Sequence, residues 1–283
     1  MGPVSFRTYN EVHGEDRSRL LEQVVAQRTR VVDRMRGVER IIAVVSGKGG
    51  VGKSYVTAAL ARRLARERRI GVIDGDLQGP TAARLLGASG PLHVGANGVE
   101  PAMTADGIRV MSTDLLLAEG APFRARTDGG ERFTRRGIVE AGVLREFFSD
   151  VAWGTLDLLL ADLAPGAHAL EDLAELVPGL TGVLVVTIPS DESRRAVARN
   201  VRRAGECGVR VLGVVENMSG YACGGCGETG PLFDGSAGAD LAAEFGVPLL
   251  ARLPFVASST RHDDASQSER LTALATALLE VAS

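Results

Sequence analysis

Short apolar runs alternate along the chain with longer segments in which apolar residues recur at helical spacing. Short runs rich in Val, Ile and Leu are typical of strands buried on both faces of a parallel sheet. Such runs occur at residues 41–45, 70–73, 108–111, 156–162, 182–188 and 209–215. Helical spacing predicts helices over residues 55–69, from near residue 81, and over 138–148, 191–206 and 266–281. The alternation predicts an α/β fold with a doubly wound, mainly parallel sheet covered by helices on both faces.

Two segments stand outside this alternation. Residues 16–35 carry apolar side chains at helical spacing, which predicts an amphipathic helix that lies on the core domain or on a partner. Its apolar residues are Leu20, Leu21, Val24, Val25, Val31, Val32 and Met35. Residues 119–136 are polar and contain glycine, which predicts a mobile surface segment. We therefore divide the chain into an N-terminal extension, residues 1–37, and a main domain, residues 38–283.

Length, amino-acid composition and net charge indicate what kind of protein this is. The chain has 283 residues, 45% of them hydrophobic, which suits one large α/β domain with short additions. A formal net charge of −3 gives no reason to expect nucleic acid as a partner. The sequence shows three cysteines, too few for a disulfide framework, and neither a signal peptide nor a membrane-spanning apolar run. We expect a soluble, cytoplasmic protein that binds neither nucleic acid nor a membrane.

The glycine-rich segment 46–54 lies between the first predicted strand and the helix that follows it. Its spacing matches the G-x-x-x-x-G-K-[ST] pattern of a phosphate-binding loop, in which glycines turn backbone N–H groups inward beside a helix N-terminus. The residues expected around the nucleotide from this pattern are Gly47, Gly49, Gly50, Val51, Gly52, Lys53 and Ser54. Lys53 would reach the β- and γ-phosphates, and the Ser54 hydroxyl would bind Mg²⁺. The alternative is a glycine-rich turn with an incidental lysine.

Acidic residues follow two of the predicted strands. Asp74 and Asp76 come at the end of the strand over 70–73, where doubly wound sheets bind their ligands. Asp76 is the candidate for positioning the attacking water, and Asp74 for supporting the metal or the loop. The alternative is that the pair caps the helix that begins near residue 81. Asp162 ends an apolar strand, as in a Walker B motif, and would hold Mg²⁺ through water opposite Ser54.

A pair of cysteines, Cys223 and Cys226, lies in a glycine-rich stretch after the strand predicted over 209–215. Their Cys-x-x-Cys spacing lets two thiolates turn toward one metal, although a tetrahedral thiolate site normally takes four ligands. Cys207 is interpreted as a small buried residue, and His262 lies too far along the chain to be assigned. Two chains with two thiolates each would complete one site on a twofold axis. A bridging iron–sulfur cluster, a bridging zinc ion and a redox-active or unoccupied pair remain open.

Lys48 directly follows the first glycine of the loop. A second lysine at this place resembles the deviant P-loop of the ParA/MinD class of dimeric ATPases, the SIMIBI type of P-loop NTPase. The resemblance implies that Lys48 reaches across a dimer to the partner's nucleotide and acts in catalysis. The alternative is a solvated loop lysine.

Several motifs in matching order resemble the Mrp/ApbC family of iron–sulfur P-loop ATPases. They lie at residues 46–54, 74–80, 157–166, 213–219, 223–226, 246–250 and 253–254. The resemblance implies a homodimer that slowly hydrolyses ATP, holds a labile four-iron four-sulfur cluster between paired Cys-x-x-Cys motifs and hands it to apoproteins. It also implies that Lys48 and Lys53 bind phosphate, Asn217 contacts adenine, and Cys223 with Cys226 hold the cluster.

The chain departs from the family pattern at three places. Tyr55 replaces the usual Thr at a position expected to face the nucleotide, and residues 164–169 lack the hydroxyl and the acid of the family's loop. His168 in that loop is interpreted as a surface residue. The separate N-terminal domain common in bacterial members is not recognised. Two alternatives to a carrier are a ParA/MinD-like positioning or regulatory ATPase and a weakly hydrolysing, nucleotide-gated adaptor.

Overall fold

The computed structural model describes residues 20–116, 136–222, 228–256 and 265–283. Cys223, Cys226 and His262 lie outside these ranges, as does nearly all of the predicted segment 119–136. The helices of the described part are α1 (Leu20–Met35), α2 (Lys53–Ala65), α3 (Ala82–Leu86), α4 (Arg136–Ser149), α5 (His168–Leu176), α6 (Asp191–Glu206), α7 (Ala237–Phe245) and α8 (Ala265–Val281). Its strands are β1 (Ile41–Ser46), β2 (Ile70–Gly75), β3 (His93–Gly95), β4 (Gly98–Glu100), β5 (Ala102–Met103), β6 (Arg109–Ser112), β7 (Leu158–Leu163), β8 (Gly182–Thr187), β9 (Val211–Ala222), β10 (Thr229–Gly230) and β11 (Leu249–Val256).

Among the described residues, nine strands form one sheet in the order β10-β9-β8-β1-β7-β2-β6-β5, with β11 also paired to β9. In this order, every pair of neighbouring strands between β9 and β6 is parallel, and β11 is also parallel to β9. The short strands β5 and β10 pair antiparallel with β6 and β9. The predicted α/β fold with a mainly parallel, doubly wound sheet is confirmed. The carboxyl ends of β1, β2 and β7 therefore meet at one edge.

The central strand β1 contributes side chains to both faces of the sheet. Ile41, Ala43 and Val45 belong to the core beneath α1 and α4–α7, whereas Ile42 and Val44 belong to the core beneath α2, α3 and α8. All five are buried. Burying one large apolar side chain stabilises the fold by about 1.5–3 kcal/mol. Because both faces are covered, the parallel strands form continuous apolar runs in the sequence.

The predicted helices are present, with shifted ends. Those predicted over 138–148, 191–206 and 266–281 correspond to α4, α6 and α8. The predicted inward-facing residues Leu144, Phe147 and Phe148 are buried. No helix within the described residues combines the length and the apolar character that a membrane crossing needs.

The N-terminal helix α1 lies on the core rather than apart from it. Val31 and Met35 are buried in the same cluster as Phe147 and Phe148 of α4. Val32, one position along, is 44% exposed. Of the two placements expected for this helix, the structure shows the one on the core. The division of the chain at residue 37 stays a prediction.

The predicted end of the strand over 209–215 is wrong. β9 begins at Val211 and continues to Ala222, through the polar residues Glu216 and Asn217. Parallel pairing with β11 extends to Val256 opposite Ala222, so the backbone of the polar stretch is hydrogen-bonded within the sheet. Cys207, expected to be buried, is half-buried at the C-terminal end of α6, and its partial burial raises the pKa of its thiol.

Candidate functional site

The glycine loop connects the carboxyl end of β1 to the first turn of α2. Gly50 and Gly52 have φ of +78°, in the left-handed region that glycine adopts without strain. Gly52 is the N-cap residue of α2, and as a glycine it offers no side-chain oxygen to the N–H groups of the first turn. The N–H groups at this helix end therefore point into the loop as an anion-binding nest.

Neighbouring elements hold the loop tightly. A Cβ at Gly47 would lie 2.5 Å from the backbone of Ala196 and Val197 in α6, so only glycine fits there. The side-chain amide of Asn200, also in α6, donates to the Ser46 carbonyl at 3.0 Å. That of Asn217 in β9 donates to the Val51 carbonyl at 2.9 Å. The loop is thus bonded to both α6 and β9.

Lys53 and Asp162 form a buried ion pair beneath the loop. Lys53 Nζ lies 2.6 Å from Asp162 Oδ1, and the two side chains are 6% and 0% exposed. The Thr57 hydroxyl also donates to Oδ1, at 3.1 Å. Asp162 Oδ2 is buried and has no hydrogen-bond partner among the described residues. A buried, unpaired carboxylate oxygen is costly in a protein alone and is a natural ligand for a hard cation.

Asp74 lies beside Asp162, because the two residues are register partners on β2 and β7. Its Oδ2 accepts hydrogen bonds from the Ala82 N–H at 2.9 Å and from the Ser112 hydroxyl at 3.3 Å. Burial, followed by the negative charge of Asp162, raises the pKa of Asp74 to about 7. Asp74 thus supports the start of α3, which agrees with its predicted role beside the loop and with the capping alternative.

An open cavity of about 530 Å³ lies over the loop. From the predicted site it is lined by Lys48, Gly49, Gly50, Val51, Gly52, Lys53, Ser54, Tyr55 and Asp76. Asp76 Oδ1 accepts a hydrogen bond from the Gly79 N–H at 3.2 Å, which fixes the carboxylate at the cavity edge. The structure therefore brings the predicted phosphate loop and the predicted water-positioning acid together.

Two residues near the site were missed at the sequence level. Arg84 of α3 lines the same cavity, with its guanidinium 3.5 Å from Asp114. Asn200 lies in the middle of α6 and contacts Ser46 only through folding. Asn200 is a polar residue on an apolar helix face, which was a weak sequence signal for a buried hydrogen bond. Nothing in the sequence marked Arg84 as a residue of the site.

Tyr55 does not fill the phosphate cavity, although it lines the rim. Its hydroxyl accepts a hydrogen bond from Gln267 Nε2 of α8 at 2.8 Å. The hydroxyl end of the ring is therefore held at α8 while the residue also lines the cavity over the glycine loop, and its contact with the nucleotide stays a prediction. Burial raises the pKa of its hydroxyl.

The loop after β7 lies against the glycine loop. The Gly166 N–H donates to the Ser46 carbonyl at 3.1 Å, and Pro165 lines the cavity. The His168 side chain is 94% exposed and lies 3.8 Å from Glu171, which confirms it as a surface residue. Residues 164–169 contact the glycine loop through this backbone bond but bring no hydroxyl or acid of their own.

The cysteine pair is adjacent to the described end of β9. β9 ends at Ala222, β10 begins at Thr229, and the two strands pair antiparallel. Within the described ranges, no group of three or more His, Cys, Asp or Glu side chains could hold a metal ion. Metal binding by Cys223 and Cys226 and adenine contact by Asn217 stay predictions.

Comparisons with known proteins also indicate a P-loop NTPase. The family model described as NUBPL iron-transfer P-loop NTPase matches residues 37–282. The iron–sulfur cluster carrier protein of Saccharolobus solfataricus is 38% identical over 256 residues, which cover 89% of this chain and 83% of that protein. The cytosolic Fe-S cluster assembly factor Nubp1 homolog of Drosophila simulans is 36% identical over 238 residues, 79% of this chain and 73% of that protein.

Solved structures share the fold. The nucleotide-binding protein of Archaeoglobus fulgidus in complex with ADP is 30% identical, with a TM-score of 0.67, over 87% of this chain and 92% of that one. The cell-division ATPase MinD of Pyrococcus furiosus is 20% identical, with a TM-score of 0.56, over 86% of this chain and 99% of that one. The predicted resemblance is confirmed at the level of the family: this chain belongs to the NUBPL iron-transfer P-loop NTPases.

Proposed function

We propose that this chain is an ATP-hydrolysing iron–sulfur cluster carrier in which two copies hold one cluster and pass it to apoproteins in the cytosol. The observation that carries the proposal is the course of β9. This strand is bonded to the glycine loop through Asn217 and ends at Ala222, directly before Cys223. Asn217 and Ala222 pair with Leu253 and Val256 of β11, three residues apart, so this irregular part of β9 spans roughly 10 Å. One continuous strand therefore leads from the glycine loop to the cysteine pair.

The geometry of the glycine loop supports binding of a nucleoside triphosphate. Backbone N–H groups of the glycine loop and the N-terminus of α2 face the phosphates. Lys53 already lies beside the cavity in its ion pair with Asp162. When phosphate offers a second anionic partner, Lys53 turns to the β- and γ-phosphates, which frees Asp162 Oδ1 for a new contact.

Ser54 and Asp162 are the residues that would hold Mg²⁺. The unpaired, buried Oδ2 of Asp162 fits this role, since Mg²⁺ takes oxygen ligands and carboxylates in particular. Mg²⁺ held there would neutralise charge on the phosphates. Asp162 would bind it from the end of β7, and the adjacent Asp74 accepts hydrogen bonds from Ala82 of α3 and Ser112 of β6, which fixes these elements around Asp162.

Asp76 and Lys48 are assigned to hydrolysis. Asp76 lies at the edge of the cavity, where its carboxylate orients the attacking water, and Lys48 lines the same cavity. Because residues 164–169 contribute backbone but neither a hydroxyl nor an acid, we propose a slow turnover that times a conformational switch. ATP would close the dimer, and hydrolysis would reopen it.

The cysteine count supports a site shared by two chains. The third cysteine, Cys207, precedes β9, whereas Cys223 follows it. The strand has twelve residues, so its ends lie on the order of 30–40 Å apart. Cys207 therefore lies far from Ala222, the last described residue before the cysteine pair, and we do not assign it to the same metal centre. Two copies of the pair supply the four thiolates that a four-iron four-sulfur cluster takes.

Anaerobic reconstitution of the full chain with iron and sulfide tests the proposal. We expect the visible absorbance of a cluster, about four irons per two chains, and a dimer in analytical ultracentrifugation. The variant that combines Cys223→Ser and Cys226→Ser should lose the absorbance, and the matched control Cys207→Ser should keep it. Equal absorbance in the double variant, or a cluster on a monomer, would overturn the shared site. Zinc without iron in the anaerobically purified protein would assign the site to zinc.

ATP turnover is measured on the same preparations. Lys53→Ala should abolish the wild-type rate, because it removes the cation that contacts the β- and γ-phosphates. Equal rates in the two proteins would contradict an ATPase and favour a nucleotide-gated adaptor.

A further inference from the structure

A second cavity, of about 380 Å³, lies between α2 and α8, away from the glycine loop. One face of α2 lines it with Tyr55, Ala59, Arg62, Arg63 and Arg66, which recur at helical spacing. Leu271 of α8 closes the opposite side. We call it the arginine cavity. Small-molecule sites have volumes of roughly 300–1,000 Å³, so its size suits a small ligand rather than a macromolecule.

The lining of the arginine cavity carries an excess of positive charge. Three arginines face it, against one carboxylate, that of Asp106. The Arg62 and Asp106 side chains approach only to 3.5 Å, and Arg62 is 26% exposed. Arg63 donates to the Thr272 hydroxyl at 2.7 Å, which holds its guanidinium against α8, and it lies 3.7 Å from the exposed carboxylate of Glu67, which does not line the cavity. Two of the three guanidiniums are thus fixed and largely withdrawn from water.

Arg66 completes this cluster. It is exposed at the C-terminal end of α2, and its side chain has no ion-pair partner among the described residues. Guanidinium groups bind phosphate and carboxylate through paired, charge-assisted hydrogen bonds. A small ligand with two or more negative charges would form such bonds with Arg66 and be attracted by the positive charge of Arg62 and Arg63.

The far end of the cavity is polar and buried. Gln267 is 8% exposed and donates to the Tyr55 hydroxyl, whose own proton can be donated to a ligand. Tyr55 lines both the arginine cavity and the cavity over the glycine loop, and it directly follows Ser54. No other described residue lines both cavities. The two cavities are therefore separate but share one side chain.

We propose that the arginine cavity binds a small polyanion, a ligand bearing phosphate or carboxylate groups. Arg62, Arg63 and Arg66 bind its charge, and the Tyr55 hydroxyl contacts its inner end. This site is distinct from the nucleotide site and does not require nucleotide to bind.

Isothermal titration calorimetry on the full chain tests the proposal, with citrate and pyrophosphate as probes at constant ionic strength. We expect saturable binding of at least one probe, at one per chain. Arg66→Gln should weaken it about tenfold or more, as expected for the loss of a charge-assisted hydrogen bond. Arg68→Gln is the matched control: it removes an equally charged, exposed arginine two positions away that does not line the cavity, and it should change affinity less than twofold.

Further arms of the experiment identify the ligand chemistry and the site. Binding of citrate alone assigns carboxylate, and binding of pyrophosphate alone assigns phosphate if it persists in Lys53→Ala; pyrophosphate that binds wild type but not Lys53→Ala occupies the glycine loop. Each titration is repeated in Lys53→Ala, where binding to the arginine cavity should persist. Absence of saturable binding, an equal loss in Arg66→Gln and Arg68→Gln, or disappearance in Lys53→Ala would each overturn the proposal. Because citrate binding needs no working phosphate loop, this failure is distinguishable from failure of the ATPase assignment.

Discussion

At the scale of single residues, one buried cation faces two buried carboxyl groups. Lys53 is paired with Asp162, and Asp74 lies beside Asp162 on the neighbouring strand. Because one ammonium group cannot neutralise both carboxylates, burial and the charge of Asp162 raise the pKa of Asp74 to about 7. The same excess of negative charge suits a divalent cation bound at Asp162.

The raised pKa of Asp74 predicts a loss of stability with rising pH. The ordinary pKa of 3.8 applies to the unfolded chain, against about 7 in the folded protein. Between about pH 4 and 7 the unfolded chain has released this proton while the folded chain still holds it, so the free energy of unfolding falls as pH rises. Asp74→Asn removes this contribution. From pH 5 to 8, wild type should therefore lose about 2 kcal/mol relative to Asp74→Asn.

Urea unfolding of the nucleotide-free, metal-free protein at pH 5, 6, 7 and 8 measures this difference. Val31→Ala, which removes no titratable group, serves as the control, and its free energy of unfolding should follow wild type in parallel. If Asp74→Asn also runs parallel to wild type, the carboxyl of Asp74 does not titrate as described.

At the scale of elements, the glycine loop is held by parts of the chain that are distant in sequence. α6 contacts it at Gly47 and, through Asn200, at Ser46, and β9 contacts it through Asn217. Gly166, after β7, bonds to the same Ser46 carbonyl. The glycine loop is therefore held by three elements distant in sequence, α6, β9 and the segment after β7, although its pattern is a short segment of sequence.

This arrangement predicts opposite outcomes for two neighbouring glycines. A Cβ at Gly47 would meet the α6 backbone at 2.5 Å, whereas at Gly49 the nearest atom is Pro165 Cγ at 4.0 Å. Gly47→Ala should lower the free energy of unfolding by about 1–3 kcal/mol, because the backbone of α6 must move. Gly49→Ala should stay within about 0.5 kcal/mol of wild type. Urea unfolding without nucleotide gives both values, and equal losses would contradict a specific contact between the loop and α6.

At the scale of the whole molecule, the N-terminal helix belongs to the packed core. Val31 of α1 is fully buried in the cluster that contains Phe147 and Phe148 of α4. The family match begins at residue 37, after this helix. α1 is thus outside the matched family region and nevertheless covers part of that domain's apolar surface.

We predict that this contact stabilises the whole protein. Val31→Ala should lower the free energy of unfolding by about 2 kcal/mol, since it removes buried methyl groups and leaves a cavity. Val32→Ala changes a side chain that is 44% exposed and should have an effect below about 0.5 kcal/mol. Thermal and urea unfolding of the two variants give the comparison. If both variants match wild type, α1 folds on the surface without contributing to the core.

Features that depend on neighbouring residues in the chain could be predicted from the sequence. Apolar runs identified the central strands because both faces of a parallel sheet are buried, and helical spacing identified α4, α6 and α8. The phosphate loop and Asp162 were found because their chemistry requires fixed residue types at the ends of strands. The resemblance to a known family rested on the same segments.

Features that depend on distant partners were decided only by the tertiary structure. β9 continues through polar residues because β11, far along the chain, pairs with it. Tyr55 extends toward α8 because Gln267 donates to its hydroxyl, and Asp74 has a raised pKa because folding buries it beside Asp162. The sequence by itself determined the central parallel strands, the helices α1, α2, α4, α6 and α8, and the phosphate loop, since local pattern encodes burial and turn geometry. The structure determined the partners of each polar side chain, because hydrogen bonding and desolvation depend on what the fold brings within a few ångströms.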